Sequence, residues 1–160
     1  SIITRQGLGE VFLDDLWRYE AAWVAPSPEL QGALCPLLQD NRRAGTLHQR
    51  RYSMVSYAWG TRYQQSNQWA IETLALAAEP HALRREQAQA WLRLKDYRPT
   101  TLRIGALTRL GGRMTAGNVA FDDHPPTQRF ADRIETVTAD SVLDWLQRAP
   151  LGGGVQRLGG

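Results

Sequence analysis

Apolar side chains that return every three or four positions run along most of the chain, and this spacing limits the fold more than any other property of the sequence. From Glu10 to Val24, the residues Leu13, Leu16, Trp17, Ala21 and Val24 fall on one stripe, with Asp14, Asp15 and Arg18 opposite. That is the pattern of a helix with one face turned to a core. Ser27-Pro28-Glu29 marks a second start, because a serine at the N-cap accepts a backbone N–H and proline at the first helical position forfeits no bond. The helix it opens would bury Leu30, Ala33, Leu34, Leu37 and Leu38, with Pro36 kinking or shortening it.

The same spacing continues through Tyr52, Val55 and Trp59, predicting a third helix that stops near Gly60. Asn67 can cap a fourth over Ile71, Leu74, Ala75 and Ala78, and Leu83, Gln87, Ala90, Trp91 and Leu94 outline a fifth. A sixth starts near Pro99 or Thr100 and runs through Ile104 and Leu107 to Leu110, where Gly111-Gly112 can end it. After an irregular arm, Arg113 to Pro126, Thr127 caps a segment carrying Phe130, Ile134 and Val137, and Thr138 a last one with Val142, Trp145 and Leu146. Strand-like alternation is short and rare, so the expectation is an all-α single-domain bundle of about seven to eight helices over residues 1–149. Residues 150–160 hold five glycines. Glycine loses the most backbone entropy on ordering, which predicts a flexible tail unless something holds it.

Charge and cysteine usage narrow the function classes. A lone cysteine, Cys35, cannot close an internal disulfide, and no zinc-finger spacing is present, which predicts a reducing, cytoplasmic location. Cys35 lies in an apolar helical stretch and reads as core packing. Apolar runs are short, as at Leu74–Ala78, which excludes a helical membrane span. The net charge of +3 comes from eighteen arginines and a single lysine, Lys95. The pairs Arg42-Arg43, Arg50-Arg51 and Arg84-Arg85 are scattered, with the acids Glu72 and Glu79 between the second and third. They read as dispersed surface charge, with a nucleic-acid-associated protein as the alternative.

Little in the sequence points to catalysis. Asp122-Asp123-His124 precedes two prolines; adjacent side chains diverge in an extended chain and make a poor ligand set, and acids before a helix favour its positive end. The stretch therefore reads as a polar joint, and a small hydrolase or toxin centred on Asp123 and His124 is the second alternative. His48 and His81 stand alone in polar surroundings, and GxSxG, GxxxxGK[ST], GxGxxG and HExxH are all missing. The expectation is no enzyme, no cofactor and no metal.

Six tryptophans remain to be placed. Trp17, Trp91 and Trp145 lie on apolar stripes and suit a core, each able to bury about 200 Å². Trp23 and Trp69 fit their stripes less well. With Arg62 and Tyr63 they form the candidate contact set for another protein, since tryptophan and arginine dominate binding hot spots.

The stretches QWAIETLALAAEP, AQAWLRLKDYRP, LGGRM and HPPTQRFADRIETV occur in that order between Gln68 and Trp145. In this order they resemble a family of uncharacterised helical proteins encoded beside bacterial secretion machines of the type VI kind. The resemblance implies an accessory or adaptor protein of a secretion apparatus and carries over no catalytic residues. The leading expectation is a non-enzymatic protein–protein interaction module.

Overall fold

The structure is a computed structural model that describes residues 20–103, 105 and 119–159. Among these residues the order is β1 (Glu20–Trp23), α1 (Pro28–Gln39), α2 (Asn41–Ala44), α3 (Ser66–Ala78), α4 (Arg85–Leu94), β2 (Thr100–Arg103), α5 (Pro126–Phe130), β3 (Arg133–Thr136), α6 (Ala139–Arg148) and β4 (Gln156–Gly159). The fold is thus mixed α/β, with these six helices and two small antiparallel sheets among the described residues, and the all-α expectation is corrected.

Where local signals and apolar period agree, the helices form as expected. The Ser27 Oγ accepts from the Leu30 N–H at 3.3 Å, and α1 continues through Pro36. The lost bond falls on an exposed face, where the Gly32 carbonyl can meet water. In α6, Thr138 and Ser141 cap each other reciprocally. Helix α3 starts two residues before expectation, with Gln65 rather than Asn67 at the N-cap. These helices enclose the main core of Leu37, Leu47, Ile71, Ala88, Leu92 and Trp145.

Four expected helical stretches turn out otherwise, each because backbone groups find non-helical partners. The end of the first is strand β1; its earlier residues lie outside the described ones. Pro26 disfavours helical geometry in the residue before it, and the chain's last segment supplies a partner strand. β1 pairs with β4 in the register Ala21↔Leu158 and Trp23↔Gln156. The bonds Ser27 N–H to Leu151 O and Gly153 N–H to Ala25 O, 2.8 and 2.9 Å, extend this contact. The tail expected to be flexible is therefore laid against residues 21–27. Gly152 permits the approach, since a Cβ there would stand 2.5 Å from Val24 Cγ1.

Residues 52–59 form turns and an isolated bridge, not a third helix. The Tyr57 N–H donates to the Asp123 carboxylate at 2.8 Å and the Ala58 N–H to Glu135 O at 3.0 Å, so neither is free to close a helical turn. The expected sixth helix begins as strand β2, with 104 and 106–118 outside the described residues. The expected helix from Thr127 to Val137 is only the short α5, followed by β3. β2 and β3 pair as Thr100↔Thr136 and Leu102↔Ile134, and the bridge Tyr57↔Thr136 adds a third segment on the far edge of β3. Ile134 and Val55, with Leu102, Val119 and Phe121 against them, make a second, smaller core.

Candidate binding face

The loop from Leu47 to Gln65 lacks regular structure and is held by side chains. Glu72, wholly buried on α3, accepts from Arg85 Nε and Gln64 Nε2 at 2.7 Å on one oxygen. Its other oxygen accepts from Gln89 at 2.8 Å and Arg85 Nη2 at 3.1 Å. The Arg85 guanidinium directs its remaining donors to the carbonyls of Gly60, Thr61 and Tyr63. Burial raises the Glu72 carboxyl above its ordinary pKa, against the opposing pull of Arg85 and the two glutamines. Arg85, expected as half of a surface pair, is thus an internal clamp, and the third arginine pair contributes only Arg84 to the surface.

A second anchor fixes the same loop from the other side. Asp123 Oδ2 accepts from Tyr57 N–H, and His124 Nε2 lies 2.7 Å from Val55 O, so that nitrogen carries the proton. Both side chains are almost fully enclosed, and Asp123 Oδ1 stands 3.7 Å from His124 Nε2. Burial raises the Asp123 carboxyl, with the Tyr57 N–H and His124 acting to lower it. The enclosed imidazole bonds the Val55 carbonyl and packs against the Tyr57 ring, centroids 5.3 Å apart. Among the described residues, no group of three or more His, Cys, Asp or Glu side chains gathers where it could hold a metal.

Between the two anchors the loop presents a basic and aromatic surface. Gln64 N–H donates to Arg51 O at 2.9 Å, Gln49 Nε2 to Thr61 O at 3.2 Å and Gln64 Nε2 to Leu47 O at 3.0 Å, so residues 47–51 run beside 61–64. Trp69 Nε1 donates to Ala44 O at 3.2 Å and draws α2 onto the same side. Arg42, Arg43, Arg50 and Arg51 are exposed along this stretch, and among the described residues none makes an ion pair. Tyr52 is 48% exposed. Arg62 lies 5.5 Å over the Tyr63 ring and pairs with Asp122 at 3.0 Å.

Three of the four residues singled out from sequence, Arg62, Tyr63 and Trp69, sit on or beside this face. Trp69 is half-buried, packed on the main core and serving as the anchor of α2. Trp23 lies on β1, where it is 44% exposed. Trp145 is fully buried, with Trp91 and Tyr97 edge-on to it at 6.1 and 5.8 Å. Trp17 lies outside the described residues. Cys35, expected as core packing, is exposed on α1, and His48 and His81 are exposed as well. The unpaired arginines at 42–43 and 50–51 were visible as pairs. What the sequence hid is that Arg85 leaves the surface, that Gln49 and Gln64 lay Arg50-Arg51 along residues 61–64, and that Trp69 ties the helix carrying Arg42-Arg43 to α3.

Fold and face together define a small mixed α/β domain whose irregular central loop is pinned from within and displays uncompensated arginine. The chain belongs to a bacterial family described as an uncharacterized protein conserved in bacteria (DUF2145), whose profile matches residues 1–146. No curated protein and no solved structure matches the chain. The family description agrees with the uncharacterised bacterial part of the sequence resemblance; it carries no link to secretion machines, and with the strands present the helical part of that resemblance is corrected. Among the described residues, no helix is long and apolar enough to cross a membrane.

Proposed function

We propose that the chain is a non-catalytic binding module that engages an acidic segment of another protein through the face built on residues 42–52 and 61–63. The observation that carries this reading is the set of four exposed arginines that make no ion pair among the described residues, with the exposed ring of Tyr52 next to Arg51. Guanidinium forks bind carboxylates in bidentate fashion, and aromatic rings beside them supply contact area at low entropic cost. Asp40 caps α2 beneath Arg42 and Arg43, and Asp122 covers Arg62, so acids interrupt the positive surface. A short acidic peptide fits that alternation better than the even phosphate spacing of a nucleic acid. A cytoplasmic location belongs to the same reading, on the strength of the lone cysteine.

The test is affinity capture from bacterial lysate with the natural chain and with a variant in which Arg42, Arg43, Arg50 and Arg51 are all replaced by serine. The expected result is a protein with an acidic segment retained by the natural chain and lost by the variant, at an unchanged melting temperature. Equal capture by both would overturn the reading, and so would retention of nucleic acid that weakens steeply with salt.

A further inference from the structure

Arg62 differs from its neighbours on the face. Among the described residues it is the arginine of the face that forms an ion pair, with Asp122 at 3.0 Å, and both side chains of that pair are about half exposed, 52% and 48%. Asp122 is held in place by its two successors in the chain. Asp123 and His124 are sunk beside Val55 and Tyr57, bonded at 2.8 and 2.7 Å to the backbone there. A carboxylate is thereby presented to the arginine face by an anchored segment of the chain itself, in water and without the burial that would make the pair permanent. Exposed pairs of this kind are weak and exchangeable.

We infer that Asp122 is a built-in competitor: it occupies Arg62 in the free protein, and a carboxylate of the acidic partner segment displaces it on binding. The inference rests on the proposed binding of an acidic segment and names its regulation. It also gives the two enclosed groups a part in recognition. Asp123 and His124 set the position of Asp122 opposite Arg62, while the bare pairs at 42–43 and 50–51 make the first encounter.

The experiment measures the affinity of a fluorescein-labelled peptide rich in Asp and Glu, with one tyrosine, by fluorescence anisotropy. Asp122→Asn is expected to tighten binding by about twofold to fivefold, the range an exposed ion pair supports. In an Arg62→Gln background the same substitution should change nothing, because the competitor has lost its target. Asp140→Asn, which removes one exposed charge from α6 on another part of the surface, controls for net charge and should leave affinity within error. Equal tightening by Asp140→Asn, persistence of the effect without Arg62, or no effect of Asp122→Asn would each sink the competitor while leaving the face intact. If the quadruple arginine variant binds the peptide as well as the natural chain does, the binding reading itself fails. A labelled single-stranded oligonucleotide run in parallel must bind more weakly than the peptide; tighter binding would replace the acidic protein segment with a phosphate polymer.

Discussion

Tyr97 shows how one residue ties together the end of α4, β2 and α6. It is 4% exposed, its ring meets Trp59 and Trp145 edge-on at 5.9 and 5.8 Å, and its hydroxyl is hydrogen-bonded to Ser141 Oγ at 2.8 Å. Burial pushes the phenol up to about 12, with the Ser141 contact acting in the opposite direction. A phenol raised in the folded state gives stability that is complete below the unfolded value near 10 and lost as pH rises towards 12. A rise of that size corresponds to about 2 to 3 kcal/mol. Urea unfolding across that alkaline window should therefore show a fall that Tyr97→Phe largely removes; a natural chain with a flat profile there would refute the assignment. Gly152 makes the complementary point. Its hydrogen faces Val24, and nothing in a run of three glycines reveals which of them a neighbouring strand requires.

At the scale of elements, the irregular loop depends on the Glu72–Arg85 clamp more than on any helix. Removing one partner of a buried pair leaves the other charge desolvated, which costs about 3 to 5 kcal/mol. Glu72→Gln should lower stability by that amount, read from the urea midpoint, and loosen the amide of Gln64, read by hydrogen exchange. A loss under about 1 kcal/mol would contradict the clamp, since that is the worth of an exposed pair. Helices α1 and α6 were legible because cap, period and length agreed, and α4 because period and length did. The stretch around Tyr52, Val55 and Trp59 was not, because its spacing mimics a helix while the acceptors for its N–H groups, Asp123 and Glu135, lie more than seventy residues away along the chain in the second case and nearly so in the first. Ile134 and Val137 likewise share helical spacing, yet serve two different cores, one from a strand and one from the approach to α6. The alternation in Arg133–Thr136, exposed then buried, was the only strand signal in that region, and four residues are too few to outweigh a longer period. Of the face, the arginine pairs, Arg62 and Tyr63 could be read directly, whereas the placing of residues 47–51 along 61–64 depends on Gln49 and Gln64, whose amides gave no signal in the sequence.

For the whole molecule, the tail decides how the two ends of the described chain are related. Leu151 to Gly153 bond to Ala25 and Ser27, Leu151 packs against the main core, and β4 completes a ladder with β1. A two-stranded ribbon is marginal by itself, so its order must come from this docking. Deleting residues 150–160 would strip β1 of its partner and expose Val24 and Leu146 beneath Gly152. If the lost contacts are worth about 2 to 3 kcal/mol, the melting temperature of a domain this size should fall by roughly 5 to 10 °C. The deletion leaves the face at 42–52 and 61–63 untouched, so peptide affinity at a temperature well below the transition should stay as it was. An unchanged melting temperature would mean that the tail adds no stability and is free after all. A lower melting temperature with weakened binding would instead mean that the ribbon and the arginine face belong to one surface, placing Trp23 and Leu158 beside Arg62 as parts of the same contact.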